Sequence, residues 1–182
     1  MRAVEVTKTI KIPQGVEVSV DGRVVTVKGQ KGTLTRSFSD APVSIQLKDD
    51  EILVETTWPR KKEASLVGTI HSHINNMITG VTKGFTYKLK VVFAHFPVTV
   101  KIKGDTIIIE NFTGERSPRI ARIQGDSKVS VKGEDVIVQG LNLENVSQTA
   151  ANMERATKVT RKDPRIFLDG IYIYERVEGM EG

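Results

Sequence analysis

Cysteine is missing from all 182 residues. Disulfides and thiolate metal sites are thereby excluded, and the composition fits a reducing compartment. Aromatic residues are scarce, at 5% with one tryptophan. A strand surface that reads single-stranded bases by stacking is therefore not expected. Nowhere does an apolar run approach the roughly 20 residues of a membrane span, so no membrane partner is expected. The segment Met1 to Lys11 alternates polar and apolar residues and lacks the apolar core of a leader peptide.

Catalytic patterns are equally thin. The three histidines are His71, His73 and His95. His71 falls on an apolar helical face and His73 points elsewhere; i, i+4 spacing, not i, i+2, would bring two imidazoles to one metal. The expectation is one packed and two exposed histidines. Asp49-Asp50-Glu51 falls at a hairpin tip, where acids are solvated turn residues, without the burial that shifts a catalytic carboxylate. Gly29-Gln30-Lys31-Gly32-Thr33 lacks the spacing and residue order of a phosphate loop and reads as a tight turn presenting Lys31. No nucleophile–base pair or ligand set emerges. The chain is expected to be no enzyme, with no catalytic residue, metal or cofactor.

What the chain does have is positive charge and internal symmetry. The formal net charge is +5 and the pI about 9.4, which suits a polyanionic partner. Residues 1–82 carry 11 Lys/Arg against 9 Asp/Glu, whereas residues 83–174 carry 15 against 10. The end from Glu175 holds three acids and one arginine. The base-rich surface therefore belongs mainly to the second half.

The symmetry is a duplication. Val16, Val18, Val20, Gly22, Val25, Val27 and Gly32 recur 82 residues later as Val98, Val100, Ile102, Gly104, Ile107, Ile109 and Gly114. Ile45, Leu47, Ile52 and Val54 recur 84 residues later as Val129, Val131, Val136 and Val138, a two-residue insertion in between. Each copy reads as alternating strands joined by turns at Asp21-Gly22 and Lys103-Gly104-Asp105. A second hairpin follows, turning at Lys48–Glu51 or Gly133–Asp135. Then comes a helix. Ala64, Val67, Ile70, His71, Ile74, Met77, Ile78 and Val81 trace one apolar face, with Pro59 in the first turn and Gly80 as the stop. In the second copy Val146, Ala150, Met153 and Ala156 or Thr157 do the same, with Asn142 as N-cap.

Phe85–Phe93 parallels Val4–Ile12, and a last strand spans Ile171–Tyr174, whose Tyr172 and Tyr174 are expected to pack on a sheet face. The fold class is α+β: two tandem duplicated domains, 1–82 and 83–182, each a small antiparallel or mixed sheet with one helix on one face. The second carries an acidic tail, 175–182.

Three basic segments are candidate RNA-binding sites. Arg155, Lys158, Arg161, Lys162 and Arg165 are five bases against one acid in eleven residues, spanning a helix end and the loop beyond. The helix dipole explains the first two but not the other three. Arg116, Arg119 and Arg122 recur at i, i+3 on a loop or edge strand, and arginine forks match phosphate oxygens. Arg60, Lys61 and Lys62 oppose the dipole at a helix N-terminus, a cost that a bound polyanion would offset. With Lys31 they complete the set. The pattern fits shape and phosphate recognition of folded RNA.

The run from Gly15 to Phe38, GVEVSVDGRVVTVKGQKGTLTRSF, resembles the N-terminal signature of the L-six family of large-subunit ribosomal proteins. Asn145–Met153 (NVSQTAANM) and Arg165–Tyr174 (RIFLDGIYIY) are similar to its archaeal and eukaryotic branch. The resemblance covers nearly the whole chain. It implies binding to large-subunit rRNA, chiefly through the second domain, near the stalk base and the sarcin–ricin region. Neighbouring ribosomal proteins, and GTPase translation factors nearby, are the other partners it implies, in the cytoplasmic ribosome. One departure stands out: where the bacterial branch is lysine- and glycine-rich, this chain reads Phe167-Leu168-Asp169-Gly170. The alternative reading of the duplication is a protein-interaction scaffold whose sheet edges take partner strands.

Overall fold

The computed structural model describes residues 4–160, 162–163 and 165–180. The chain divides into two compact units, residues 1–83 and 84–182. In the first unit the strands are β1 (Glu5–Lys11), β2 (Glu17–Asp21), β3 (Val24–Gly29), β4 (Gly32–Ser37), β5 (Ser44–Lys48) and β6 (Glu51–Thr57), followed by α1 (Lys61–Thr82). The second unit repeats the plan as β7 (Phe85–Val92), β8 (Thr99–Lys103), β9 (Thr106–Glu110), β10 (Arg119–Arg122), β11 (Lys128–Lys132), β12 (Asp135–Gly140) and α2 (Leu143–Ala156). It adds β13 (Gly170–Glu178).

The α+β class follows from the alternating strands and the two amphipathic helices. Within it, each unit divides its strands between two antiparallel sheets. The orders are β1-β6-β5 and β2-β3-β4 in the first unit, and β11-β12-β7-β13 and β10-β9-β8 in the second. The division was not legible in the periodicity. β4 has a single apolar residue, Leu34, in an otherwise polar run, and so gave no strand pattern.

Alternation sends one side of each strand inward. Ile52 and Val54 on β6 are fully buried, as are Val136 and Val138 on β12. In the first unit these pack with Ile10, Val25 and Val27 against Val67, Ile70, Ile74 and Val81 of α1. In the second, Leu89, Ile107, Ile109 and Ile171 meet Val146, Ala150 and Met153 of α2. Each Val, Leu, Ile or Met among these contributes about 1.5–3 kcal/mol on burial, so the helix faces hold their sheets together.

Several boundaries differ from the sequence expectation. Pro59 lies before α1, not in its first turn; Arg60 is the N-cap. Gly80 does not stop the helix but is buried within it, and α1 continues to Thr82 with Lys83 as C-cap. The left-handed residue after the helix is Gly84, at φ +79°. Helix packing overrode the stop signal at Gly80 because the residues that follow, Val81 above all, complete the apolar face. β13 extends beyond Tyr174 to Glu178, with a register irregularity between Ile173 and Glu175. Glu175 faces Lys88 at 3.0 Å. Tyr172 and Tyr174 are exposed rather than packed, because β13 is an edge strand whose Ile171 takes the inward position.

The turn between β3 and β4 closes on α1. Lys31 donates its backbone N–H to the carbonyl of Val81 at 3.0 Å, which satisfies one of the orphan carbonyls at the helix end. Gly29 makes this approach possible: a Cβ there would lie 2.7 Å from Val81 Cγ2 and 2.8 Å from its carbonyl oxygen. Gly29→Ala is expected to destabilise the protein by about 1–3 kcal/mol through overpacking, read as a lower urea midpoint with unchanged m-value.

Candidate nucleic-acid interface

The C-terminal end of α2 brings two of the basic segments together. Arg155 stands in its last turn and Lys158 just beyond, both exposed. Arg122, exposed on β10, lines a groove of about 350 Å³ with Asn152 and Arg155. Arg155 and Lys158 also line an adjoining cleft of about 520 Å³ with Phe167 and Tyr172. Arg122, Arg155 and Lys158 therefore form one basic stripe. None of the three has a carboxylate partner among the described residues.

Side-chain bonds to backbone fix that stripe. Asn152 Nδ2 donates to the carbonyl of Arg122 at 2.9 Å. Thr149 Oγ1 accepts from the N–H of Gln124 at 2.9 Å while donating to Asn145. Both residues belong to the NVSQTAANM run, where sequence reasoning assigned them no role. Their signal was available: two polar residues on the flank of an apolar helical face.

Arg119 is a correction. Sequence spacing grouped it with Arg116 and Arg122 as a displayed guanidinium, but the structure turns it inward. Its Nε and Nη2 bond the two carboxylate oxygens of Glu115 at 2.8 and 2.6 Å. Its Nη1 donates to the carbonyl of Ala156 at 2.8 Å, and its guanidinium lies 4.5 Å from the Phe112 ring centroid. Strand alternation is the reason: Arg119 and Arg122 cannot both share the inward or outward side, since an odd separation reverses the face. Arg116 remains exposed in the preceding turn.

The loop beyond α2 is mixed. Arg161 lies outside the described residues. Lys162 Nζ sits 4.1 Å from the Phe167 ring centroid. Arg165 is exposed but folds onto Asp163, with Nε–Oδ1 at 3.1 Å and Nη2–Oδ2 at 2.8 Å. These bonds hold the Asp163 carboxyl below its ordinary range. Asp169, by contrast, is buried: it accepts from the Ala94 N–H at 3.0 Å and faces His95 Nδ1 at 3.3 Å. His95 also stacks on Phe167, centroids 4.9 Å apart. The acid in this divergent segment is thus an internal latch, and His95, although exposed, is engaged at its base. His71 and His73 are both partly buried, against the expectation of one packed and two exposed.

In the first unit, Lys31 is exposed at its hairpin turn. Arg60, Lys61 and Lys62 are exposed at the start of α1. Glu63 Oε2 accepts from the Arg60 N–H at 2.6 Å, so a capping carboxylate already offsets part of their opposition to the dipole.

Arg119→Ala is expected to cost about 2 kcal/mol, since it removes charge-assisted bonds at a helix terminus. Arg122→Ala should stay within about 0.5 kcal/mol; urea unfolding separates the two. The Glu115 carboxyl is held below its ordinary range by hydrogen bonds from Arg119. A depressed carboxylate contributes stability that is present above its unfolded pKa and lost as pH falls through the folded one. The loss expected below about pH 4.5 is roughly 0.2–1 kcal/mol, as suits a partly exposed pair. It should vanish from the stability–pH curve of Glu115→Gln.

The family model described as Ribosomal protein L6 matches residues 12–84 and again residues 96–170. The Large ribosomal subunit protein uL6 of Desulfurococcus amylolyticus is 52% identical over 182 residues, covering 98% of this chain and 99% of the relative. That of Aeropyrum pernix is 53% identical, over 95% and 96% of the two chains. That of Methanobrevibacter smithii is 49% identical, over 96% and 98%. With both halves matched and nearly every residue aligned, the chain belongs to the ribosomal protein L6 family.

Proposed function

We propose that this chain is a structural, non-catalytic constituent of the large ribosomal subunit that binds large-subunit rRNA mainly through its second unit. The observation that carries the reading is the stripe of Arg122, Arg155 and Lys158 along adjoining grooves at the end of α2. Cations with no carboxylate partner among the described residues can take phosphates, and each phosphate neutralised releases counterions. Lys162, Arg165 and Arg116 extend the field, and Arg161 adds a fourth charge by sequence. Arg119 supports this surface from behind by anchoring β10 to the helix end. The first unit, with Lys31, Arg60, Lys61 and Lys62, acts as a brace or a protein-facing lobe beside neighbouring ribosomal proteins. Family resemblance supports a position near the stalk base and the sarcin–ricin region, beside the docking site of GTPase translation factors in the cytoplasmic ribosome.

The test is a salt series with a large-subunit rRNA fragment. Each phosphate contact contributes about 0.7–0.9 to the slope of log K against log salt. Replacing Arg122, Arg155 and Lys158 with Ala should flatten that slope by roughly two units while leaving the fold intact. An unchanged slope would remove these residues from the interface.

A further inference from the structure

The cleft beside α2 has features that phosphate binding leaves unused. It is lined by Ala151, Val159, Phe167 and Ile171 on apolar walls, with Arg155, Lys158 and Glu154 at charged positions and Tyr172 at the edge strand. Its volume of about 520 Å³ lies within the roughly 300–1,000 Å³ of small-ligand clefts. We infer that this cleft receives one unpaired RNA nucleotide, its base stacked on Tyr172 and its phosphate held by Arg155 and Lys158. The inference rests on the rRNA-binding reading and names the chemistry of one subsite within it.

Three observations converge on a nucleotide. Tyr172 is 43% exposed, which leaves part of its ring open to a planar partner. Its position is defined: the ring packs over Gly170, where a Cβ would meet Tyr172 Cζ and Oη at 2.9 Å. A glycine at that point lets the ring lie close to the strand. The apolar walls are also held in place. Phe167 is stacked by His95, and Asp169 ties the same segment to the Ala94 N–H. The occupant must therefore be flat on one side, apolar in its body and anionic at its mouth, where two cations outnumber Glu154. An unstacked base with its phosphate has this combination, and base–aromatic stacking contributes about 1–3 kcal/mol per base. One ring beside a cleft suffices here, so the scarcity of aromatics in the chain is no obstacle.

The test uses the full-length protein and deproteinised large-subunit rRNA as the probe, with affinity measured across a salt series. Tyr172→Ala is expected to weaken binding about tenfold without changing the salt slope, because stacking neutralises no phosphate. Tyr172→Phe keeps the ring and should bind within about twofold of the parent. Ala151→Phe, which fills the cleft and leaves every charge in place, should reproduce the loss, with circular dichroism checking the fold. Parent-like binding by Tyr172→Ala overturns the nucleotide subsite and leaves the phosphate-binding reading standing. A parent protein without salt-dependent affinity for the rRNA overturns both.

Discussion

The last turn of α2 ends against protein, and its orphan carbonyls organise the second unit. A helix terminus leaves several C=O groups without intrahelical donors, and burying them unpaired costs free energy. Here Arg119 reaches from β10 to the Ala156 carbonyl. Thr157, almost wholly buried, donates to the Met153 carbonyl and accepts from the Ile171 N–H at 3.0 Å. One helix end thereby fixes the edge of one sheet and the start of β13. The basic stripe, and the cleft that Arg155 and Lys158 also line, both border this junction, so their geometry is inherited from it.

The two copies solve the same problem differently. In the first, Gly29 lets a hairpin turn press against α1, and the Lys31 N–H caps the Val81 carbonyl. In the second, the corresponding turn carries Asn111, Phe112 and Thr113, with Asn111 and Thr113 both at positive φ. Phe112 sinks into the core and supports the guanidinium of Arg119. A backbone cap was replaced by a side-chain cap.

Charge therefore divides by role. Arg119 and Asp169 are internal fastenings, and Arg165 is paired with Asp163 at the surface. Arg122, Arg155 and Lys158 are exposed and have no carboxylate partner among the described residues. Counting bases along the chain treats all of these alike, because charge is a property of residue type while availability is a property of neighbours.

The α+β class, the duplication and the two helix faces were legible because they follow from periodicity: Val136 and Val138, or Val146, Ala150 and Met153, announce a face by spacing alone. Asn142 as N-cap was legible for the same local reason. The split into two sheets, the passage of α1 through Gly80 and the exposure of Tyr172 were not, since each depends on what packs opposite. Residue spacing and type set which elements form and where positive charge is concentrated. Which charges stay free is set by packing, because a cation is engaged by its neighbours in space, as Arg119 is by the Glu115 carboxylate and by the Ala156 carbonyl 37 residues away.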